Sequence, residues 1–506
     1  MPNTHYDVVI IGGGHNGLVA ATYLAKAGKS VIILEANSEV GGATTSVRAF
    51  PQFDARLSRY AYLISLLPDQ IVSDLDLKFE CISRKVSSYT PYERDGKDLG
   101  LYVARQWDQE TEDSFNELDP TGAEWAAWQD FYNEIAVFAK KIAPTMLKPL
   151  HTRSELKAMI DMPDVWNYLM ERPIGEIIQQ RFKDDIVKGI VLTDALIGTL
   201  SSAFEMQANI CFLYHLIGNG SGEWKVPRGG MGALVKELER VATAAGVIIK
   251  VNSRVRAVTT TTSQASVVIE DGAKITSDYV LSNAAPQTLA MLRGTTPPPS
   301  LEGSQMKINI LLKSLPALKS GIDPRLAFAG TFHANESFST FEAVLTDARA
   351  GKLVEKLPIE MYCHTLTDPS ILSPELQAAG YQTLTLFGLH TPASLFDADN
   401  EAAKAGALKA ALTSLNEYLV EPIENLIAAI EVKSPLDIEG DVGLPRGNIF
   451  HKDLSFPFRE DDQKPGWGVE TDDPHIFICG AGAIRGGGVS GIPGHNAAMA
   501  VLEASA

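Results

Sequence analysis

Two continuous apolar runs near the start of the chain enclose a segment with helical periodicity. Residues 8–11 and 30–34 are almost wholly hydrophobic, which is typical of strands that are buried on both faces. Between them, Leu18, Ala21 and Leu24 recur every three residues, as they do on one face of a helix. The pattern predicts a βαβ unit and therefore an α/β fold with a Rossmann-like sheet.

Later parts of the chain show patterns that extend the same sheet. A helix is predicted over residues 231–245 and a strand over 247–251, followed by an antiparallel meander within 255–283. A further strand and helix are predicted within 474–503 at the end of the chain. We therefore predict one discontinuous domain built from residues 1–85, 220–300 and 440–506.

The regions between these segments have different patterns. From about residue 110 the chain is helical, and Trp125, Trp128 and Phe131 form a stripe that is more typical of a core than of a ligand pocket. Further along, short strand-like runs alternate with loops before a helix at about residues 400–418. We predict a helical insertion over residues 86–219, which covers a substrate channel, and an α+β substrate-binding domain over 301–439.

The glycines after the first strand have the spacing of a dinucleotide-binding loop. Gly12, Gly14 and Gly17 have the spacing G-x-G-x-x-G. In this motif the glycines allow a tight turn, a close approach of the backbone to a pyrophosphate and close packing of the helix on the strand. Glu35 ends the second strand, about 20 residues further on, where an acidic side chain binds a ribose hydroxyl. A carboxylate there repels a 2′-phosphate, so an unphosphorylated adenine dinucleotide is expected.

The segment after Glu35 distinguishes FAD from NAD. Gly41 and Gly42 stand side by side before small hydroxyl residues, whereas an NAD domain normally continues into the next helix. This extension resembles the double-glycine motif of the amine oxidase and phytoene desaturase flavoproteins. The resemblance favours FAD as the cofactor.

Three motifs together resemble those of the phytoene desaturase-related flavoproteins, which include carotenoid desaturases, carotenoid isomerases and retinol saturases. They occupy residues 13–21, 226–232 and 486–491, so the resemblance spans the whole chain. It implies a non-covalently bound FAD and an apolar, often polyene, substrate.

The resemblance also implies which residues hold the cofactor. Gly12, Gly14 and Gly17 would bind the pyrophosphate, Glu35 the adenosine ribose and Val255 the adenine, while Gly41, Gly42 and Thr44 would line the path to the flavin. Gly480, Gly488, Val489 and Ile492 would lie beside the isoalloxazine, and the predicted cofactor site is completed by Asn16, Ala36, Ala43, Asn283, Ala284 and Gly482.

Two departures from the family pattern concern the substrate pocket. Relatives commonly have His-Pro where this chain has Ile484-Arg485, and a histidine is frequent where this chain has Arg59. We expect Arg59 and Arg485 to face the pocket and, with Ser58, to orient the substrate. No catalytic acid, base or nucleophile is predicted, and no metal site, since His15, His451 and His495 fit structural roles better than chemistry.

The composition excludes several other classes of protein. The chain of 506 residues has a net charge of −18, which argues against nucleic acid and anionic bilayers as electrostatic partners. The four cysteines are too scattered for a redox dithiol or a zinc cluster and suggest a cytoplasmic location. We expect neither a signal peptide nor an integral membrane segment. The sequence leaves peripheral membrane contact and the oligomeric state open.

These observations favour an FAD-dependent dehydrogenase or desaturase that acts on a C–C bond of an apolar small molecule. The substrate would transfer a hydride to flavin N5, and oxygen or a quinone would reoxidise the flavin because the chain has no separate NAD(P) domain. The alternatives are a redox-neutral flavin-dependent isomerase, an amine oxidase, and a lipid or prenyl carrier like the GDP-dissociation inhibitors.

Overall fold

The computed structural model describes residues 4–506 as two seven-stranded sheets with helices packed around them. The strands are β1 (His5–Ile11), β2 (Val31–Leu34), β3 (Ser46–Val47), β4 (Leu57–Ser58), β5 (Cys81–Ile82), β6 (Val86–Arg94), β7 (Lys97–Ala104), β8 (Val226–Pro227), β9 (Ile248–Lys250), β10 (Val255–Thr260), β11 (Ala265–Ile269), β12 (Lys274–Ser282), β13 (Met306–Leu312), β14 (Thr331–Ala334), β15 (Ile359–Tyr362), β16 (Gln382–Gly388), β17 (Ile427–Lys433) and β18 (Ile476–Ile478).

The α-helices are α1 (His15–Lys26), α2 (Asp69–Asp74), α3 (Gln109–Leu118), α4 (Ala123–Ile142), α5 (Arg153–Ile160), α6 (Pro163–Trp166), α7 (Ile174–Arg181), α8 (Asp185–Thr193), α9 (Met206–Ile217), α10 (Met231–Ala244), α11 (Pro286–Arg293), α12 (Pro324–Ala327), α13 (Phe338–Arg349), α14 (Pro374–Ala378), α15 (Asn400–Asn416), α16 (Pro435–Val442) and α17 (Ile492–Ala504). Helix α17 begins three residues before the predicted start, because Gly491 at φ 70° and Pro493 in the first turn set up its N-terminus.

The first sheet has the order β10-β11-β12-β1-β2-β9, and β18 pairs with β12. Strands β2, β1, β12 and β18 are mutually parallel, and β9 is parallel to β2. Strands β10, β11 and β12 form the predicted antiparallel meander. The fold is therefore α/β with a Rossmann-like sheet, and its strands come from three separate parts of the chain.

Alternate residues of β1 enter two different cores. Val8 and Ile10 are fully buried against α1, α10 and α17, where they meet Leu18 and Leu234. Val9 packs on the opposite face against the meander. Burial on both faces explains the continuous apolar run in the sequence.

The second sheet has the order β17-β13-β16-β15-β14-β6-β7. Its last two strands, β6 and β7, come from residues 86–104, which were expected to belong to the helical insertion. They form a hairpin around Asp95 and Gly96, whose φ angles of 52° and 74° suit a tight two-residue turn. The helices of the insertion begin only at Gln109.

The aromatic stripe of α4 lies in the core of the helical layer, as predicted. Trp128, Phe131 and Phe138 are buried together with helices α3–α9. Phe450 and Leu454, from the C-terminal part of the chain, pack into the same cluster. This contact ties the helical layer to the segment that leads back to the first sheet.

Three properties concern residues 4–506 as a whole. None of their helices combines the length and the hydropathy that crossing a membrane requires. Within this range no three His, Cys, Asp or Glu side chains are grouped so that they could hold a metal ion. Cys81, Cys211, Cys363 and Cys479 are free thiols.

Candidate functional site

A cavity of about 980 Å³ lies where the two sheets and the helical layer meet. The carboxyl ends of β1, β2 and β12 open into it, which is where ligands bind in open α/β sheets. Strands β14, β15 and β16 and helix α4 form other parts of the wall. The predicted cofactor residues on this wall are Gly12, Gly14, Asn16, Glu35, Ala36, Gly41, Gly42, Ala43, Thr44, Val255, Asn283, Ala284, Gly488 and Val489.

Glu35 joins the glycine loop to the end of β2. The Gly13 N–H donates to its Oε2 at 2.7 Å, and the Asn37 N–H donates to its Oε1 at 2.8 Å. The side chain is nearly buried, at 6% exposed, but still lines the cavity. These bonds orient the carboxylate beside the phosphate loop, where it can accept a hydrogen bond from a ribose hydroxyl.

The glycines of the loop are required by close backbone contacts. Gly12 has a φ of 94°, which only glycine adopts without strain. A Cβ on Gly17 would lie 2.5 Å from the Gly12 carbonyl oxygen, and one on Gly14 would lie 2.7 Å from Asn283 Nδ2. Helix α1 has no side chain capping its N-terminus, so this helix end faces the cavity ready for an anion.

The double-glycine segment lies directly on the phosphate loop. Gly41 has a φ of 113°, and its N–H donates to the Gly13 carbonyl at 2.8 Å. A short 3₁₀ turn then brings Thr44 Oγ1 within 3.0 Å of His15 Nδ1. Burial lowers the pKa of His15 to about 4, so its imidazole is neutral at pH 7.

Four predicted cofactor residues lie behind the wall. Gly17 sits in the contact between helix and strand, and a Cβ on Gly480 would lie 2.7 Å from the Asn283 carbonyl oxygen. A Cβ on Gly482 would lie 2.7 Å from Pro286, and Ile492 is 2% exposed at the start of α17. These four residues allow close packing behind the cavity wall.

The expectation that Arg485 faces the pocket is wrong. Its guanidinium is buried and donates to the carbonyl oxygens of Thr145 at 2.9 Å, Lys148 at 2.7 Å and Trp467 at 2.7 Å. Three carbonyls attract the cation more strongly than an apolar cavity does. Arg485 therefore clamps the C-terminal segment to the end of the helical layer.

Arg59 and Ser58 also lie off the cavity wall. The Arg59 guanidinium lies 3.9 Å from the Asp441 carboxylate, so its charge is directed to that side chain. Ser58 Oγ accepts a hydrogen bond from the Met231 N–H at 3.2 Å. The positions of the three side chains therefore do not support their predicted role in orienting the substrate.

An aromatic cluster with a buried carboxyl group was not predicted from the sequence. The Tyr62 ring lies 4.7 Å from Tyr362 and 4.9 Å from Phe387, and the Tyr62 hydroxyl donates to Glu360 Oε1 at 3.0 Å. Burial, with a smaller contribution from the nearby Glu336, raises the pKa of Glu360 to about 8. All four of Tyr62, Tyr362, Phe387 and Glu360 line the cavity.

The sequence carried one signal for this cluster. Glu360, Tyr362 and His364 alternate with apolar residues along and just beyond β15. Alternating positions of a strand lie on one face, so polar residues there in an otherwise apolar run indicate a polar wall inside the protein. Their partners come from distant parts of the chain, which no local pattern reveals.

The other two histidines differ in position. His451 lines the cavity, and burial lowers its pKa to about 4. His495 lies behind the wall, where its Nδ1 is 2.9 Å from Asn496 Oδ1 and its ring meets Tyr23 edge-on.

Both His15 Nε2 and Asn16 Oδ1 are buried without a hydrogen-bond partner. These polar atoms beside the glycine loop fit a polar cofactor that completes their hydrogen bonding.

Comparisons with known proteins agree with this geometry. Family models match residues 10–70 as an NAD(P)-binding Rossmann-like domain and residues 126–310 as a flavin containing amine oxidoreductase. An uncharacterized protein of Mycobacterium tuberculosis is 41% identical over 98% of this chain and 97% of its own length. The pyridine nucleotide-disulfide oxidoreductase domain-containing protein 2 of Mus musculus is 29% identical over 98% of this chain and 93% of its own length.

Two more distant similarities cover different shares of the chain. A limonene dehydrogenase polypeptide of Castellaniella defragrans is 24% identical over 53% of this chain and 47% of its own length. The structure of putrescine oxidase bound to putrescine covers 99% of this chain and all of its own with a TM-score of 0.59 and 18% identity, a likeness of fold.

The family implies a flavin cofactor, whereas the finer resemblance to phytoene desaturases stays a prediction. The chain belongs to the same family as its mycobacterial relative, and its residues 126–310 are similar to the flavin containing amine oxidoreductases.

Proposed function

We propose that this protein is an FAD-dependent dehydrogenase that oxidises a C–C bond of a largely apolar small molecule. One observation carries the proposal. A single cavity runs from the glycine loop and Glu35 to the aromatic cluster of Tyr62, Tyr362 and Phe387. Cofactor and substrate would therefore share one chamber, as transfer between them requires.

The residues around the glycine loop would hold FAD. The uncapped N-terminus of α1 would bind the pyrophosphate, and Glu35 would accept a hydrogen bond from the adenosine ribose. Val255 and Asn283 lie on the same wall, where they would flank the adenosine. Bound FAD would supply the hydride acceptor of the reaction.

The aromatic cluster would bind and orient the substrate. Tyr62, Tyr362 and Phe387 line the cavity with aromatic surface against which an unsaturated or aliphatic chain can pack, and burial of apolar surface contributes about 25 cal/mol per Å². The proton on Glu360 keeps this region neutral at pH 7. A distantly similar protein is named limonene dehydrogenase. This name supports dehydrogenation of an apolar compound as the reaction.

Amine oxidation is the second candidate. The match to the amine oxidoreductase family and the fold shared with putrescine oxidase favour it. The aromatic rings would receive a cationic amine, because ring faces attract cations. The two candidates differ in the substrate that reduces the flavin.

The first experiment is to denature the purified protein and identify the released nucleotide by chromatography. FAD is expected, and NADP, or no nucleotide after FAD has been supplied, would contradict the proposal. The FAD-loaded protein is then mixed anaerobically with terpenes, polyenes, retinoids and amines while the flavin absorbance is followed.

Stoichiometric bleaching by an unsaturated or aliphatic compound supports the dehydrogenase. Bleaching by amines alone supports the amine oxidase, and product formed only after chemical prereduction of the flavin supports an isomerase. A protein that binds apolar compounds but takes up no FAD would be a carrier.

A further inference from the structure

We infer that the substrate carries a carboxylate, which Arg84 and Arg105 bind on the wall of the cavity. The inference rests on the proposed function only in taking this cavity as the substrate chamber. It narrows the substrate class to acids with an apolar chain or ring system.

The second sheet places the two arginines side by side. Arg105 directly follows β7, and its backbone N–H donates to the Lys85 carbonyl at 2.8 Å, which sets it beside Arg84. Both side chains line the cavity. The Arg84 guanidinium also lies over the Tyr362 ring, 5.4 Å from its centroid, so the cations adjoin the aromatic cluster.

Neither guanidinium has a counterion in the part of the chain that the structure describes. No carboxylate oxygen of residues 4–506 lies within 4.0 Å of either one. Arg84 donates only to neutral acceptors, the Trp224 carbonyl at 3.3 Å and Thr331 Oγ1 at 3.4 Å. Arg105 Nε is buried without a hydrogen-bond partner.

Burial makes these charges costly. Arg84 is 6% exposed, and burial lowers its pKa. Burial, with a smaller contribution from the charge of Arg84, lowers the pKa of Arg105 to about 10. A desolvated pair of like charges is stabilised when an anion enters between them.

The acidic groups nearest the arginines have other partners or a raised pKa. Glu360 keeps its proton at pH 7, and burial raises the pKa of Asp194. Glu223 lies 3.7 Å from Lys225 Nζ, and Glu336 Oε2 lies 2.6 Å from His333 Nδ1. The two guanidinium groups are therefore the unpaired charges at this part of the wall, where they attract an acid and repel an amine.

A carboxylate suits this pair better than an uncharged polar group does. Guanidinium groups are planar forks whose N–H groups match the two oxygens of a carboxylate. Tyr362 and Trp224, which contact Arg84 through a ring face and a carbonyl, also line the cavity and offer adjoining apolar surface for the rest of the molecule. The expected ligand is thus an amphipathic acid whose charged end is fixed and whose chain extends through the cavity.

Isothermal titration calorimetry of the full-length FAD-loaded protein tests the inference. The probes are decanoate, decanol and decyl phosphate. We expect decanoate to bind at least about 10-fold more tightly than decanol, since charge-assisted hydrogen bonds to buried guanidinium groups add that much. Arg84→Gln and Arg105→Gln should each bring decanoate close to the affinity of decanol.

Two further variants separate charge from geometry and from folding. Arg325→Gln removes the same charge at an exposed position and should leave the preference for decanoate unchanged. Arg105→Lys keeps the charge but loses the fork, and should retain part of the preference. FAD content and circular dichroism show whether each variant is folded.

Several results would overturn the inference: equal affinities for decanoate and decanol, no binding of decanoate, or an unchanged preference in folded Arg84→Gln and Arg105→Gln proteins. Tighter binding of decyl phosphate than of decanoate would replace the carboxylate with a phosphate. Calorimetry measures the binding of the probes and does not require turnover. If acids bind but no acid or other unsaturated or aliphatic compound bleaches the flavin, the proposed dehydrogenase is refuted and the anion site stands.

Discussion

Glu360 should make the stability of the protein fall as the pH rises. Burial raises its pKa from 4.5 to about 8 in the folded protein. Below pH 4.5 the carboxyl is mostly protonated in both states, and between that pH and about 8 only the folded state keeps the proton. Between pH 6 and pH 8 the free energy of unfolding should therefore drop by about 2.3 kcal/mol, at about 1.36 kcal/mol per unit until the pH approaches the folded pKa.

Urea denaturation at pH 6, 7 and 8 measures this slope. Glu360→Gln keeps an acceptor for the Tyr62 hydroxyl but cannot ionise, so its stability should fall by about 2–3 kcal/mol less than that of the unmodified protein over the same range. Glu239→Gln, which removes an exposed carboxyl on α10, should keep the full slope. Equal slopes in the unmodified protein and in Glu360→Gln would show that Glu360 ionises normally and refute the argument.

Three other substitutions test the cofactor site and the clamp behind it. Glu35→Ala should weaken FAD binding by about 1–3 kcal/mol through loss of a charge-assisted hydrogen bond, measured by flavin titration; an unchanged affinity would remove Glu35 from the site. Gly17→Ala should abolish FAD retention because its Cβ would lie 2.5 Å from a carbonyl oxygen, whereas Gly406→Ala, which meets only the end of a leucine side chain, should stay yellow. Arg485→Met should lower the free energy of unfolding by about 2–4 kcal/mol, because three buried carbonyls lose their donors; urea denaturation showing no loss would contradict the clamp.

The sequence alone determined the cofactor half of the protein. The apolar runs of β1 and β2, the glycine spacing between them and Glu35 are close together in the chain, and their physical reasons are local. A turn needs a glycine where φ is positive, and a strand that is buried on both faces needs a continuous apolar run. The Asp95-Gly96 turn of the β6–β7 hairpin was an equally local signal.

The tertiary structure alone decided what lies in the substrate half. Arg84, Arg105 and Glu360 are brought to one cavity because β15, β14, β6 and β7 are successive strands of the second sheet, although Glu360 is far from both arginines in sequence. The sequence also did not indicate which way the Arg485 side chain points, because the three carbonyls that it binds come from two other segments of the chain. Motif spacing reports on contacts within a segment, whereas the chemistry of a cavity wall depends on which segments the sheet order places side by side.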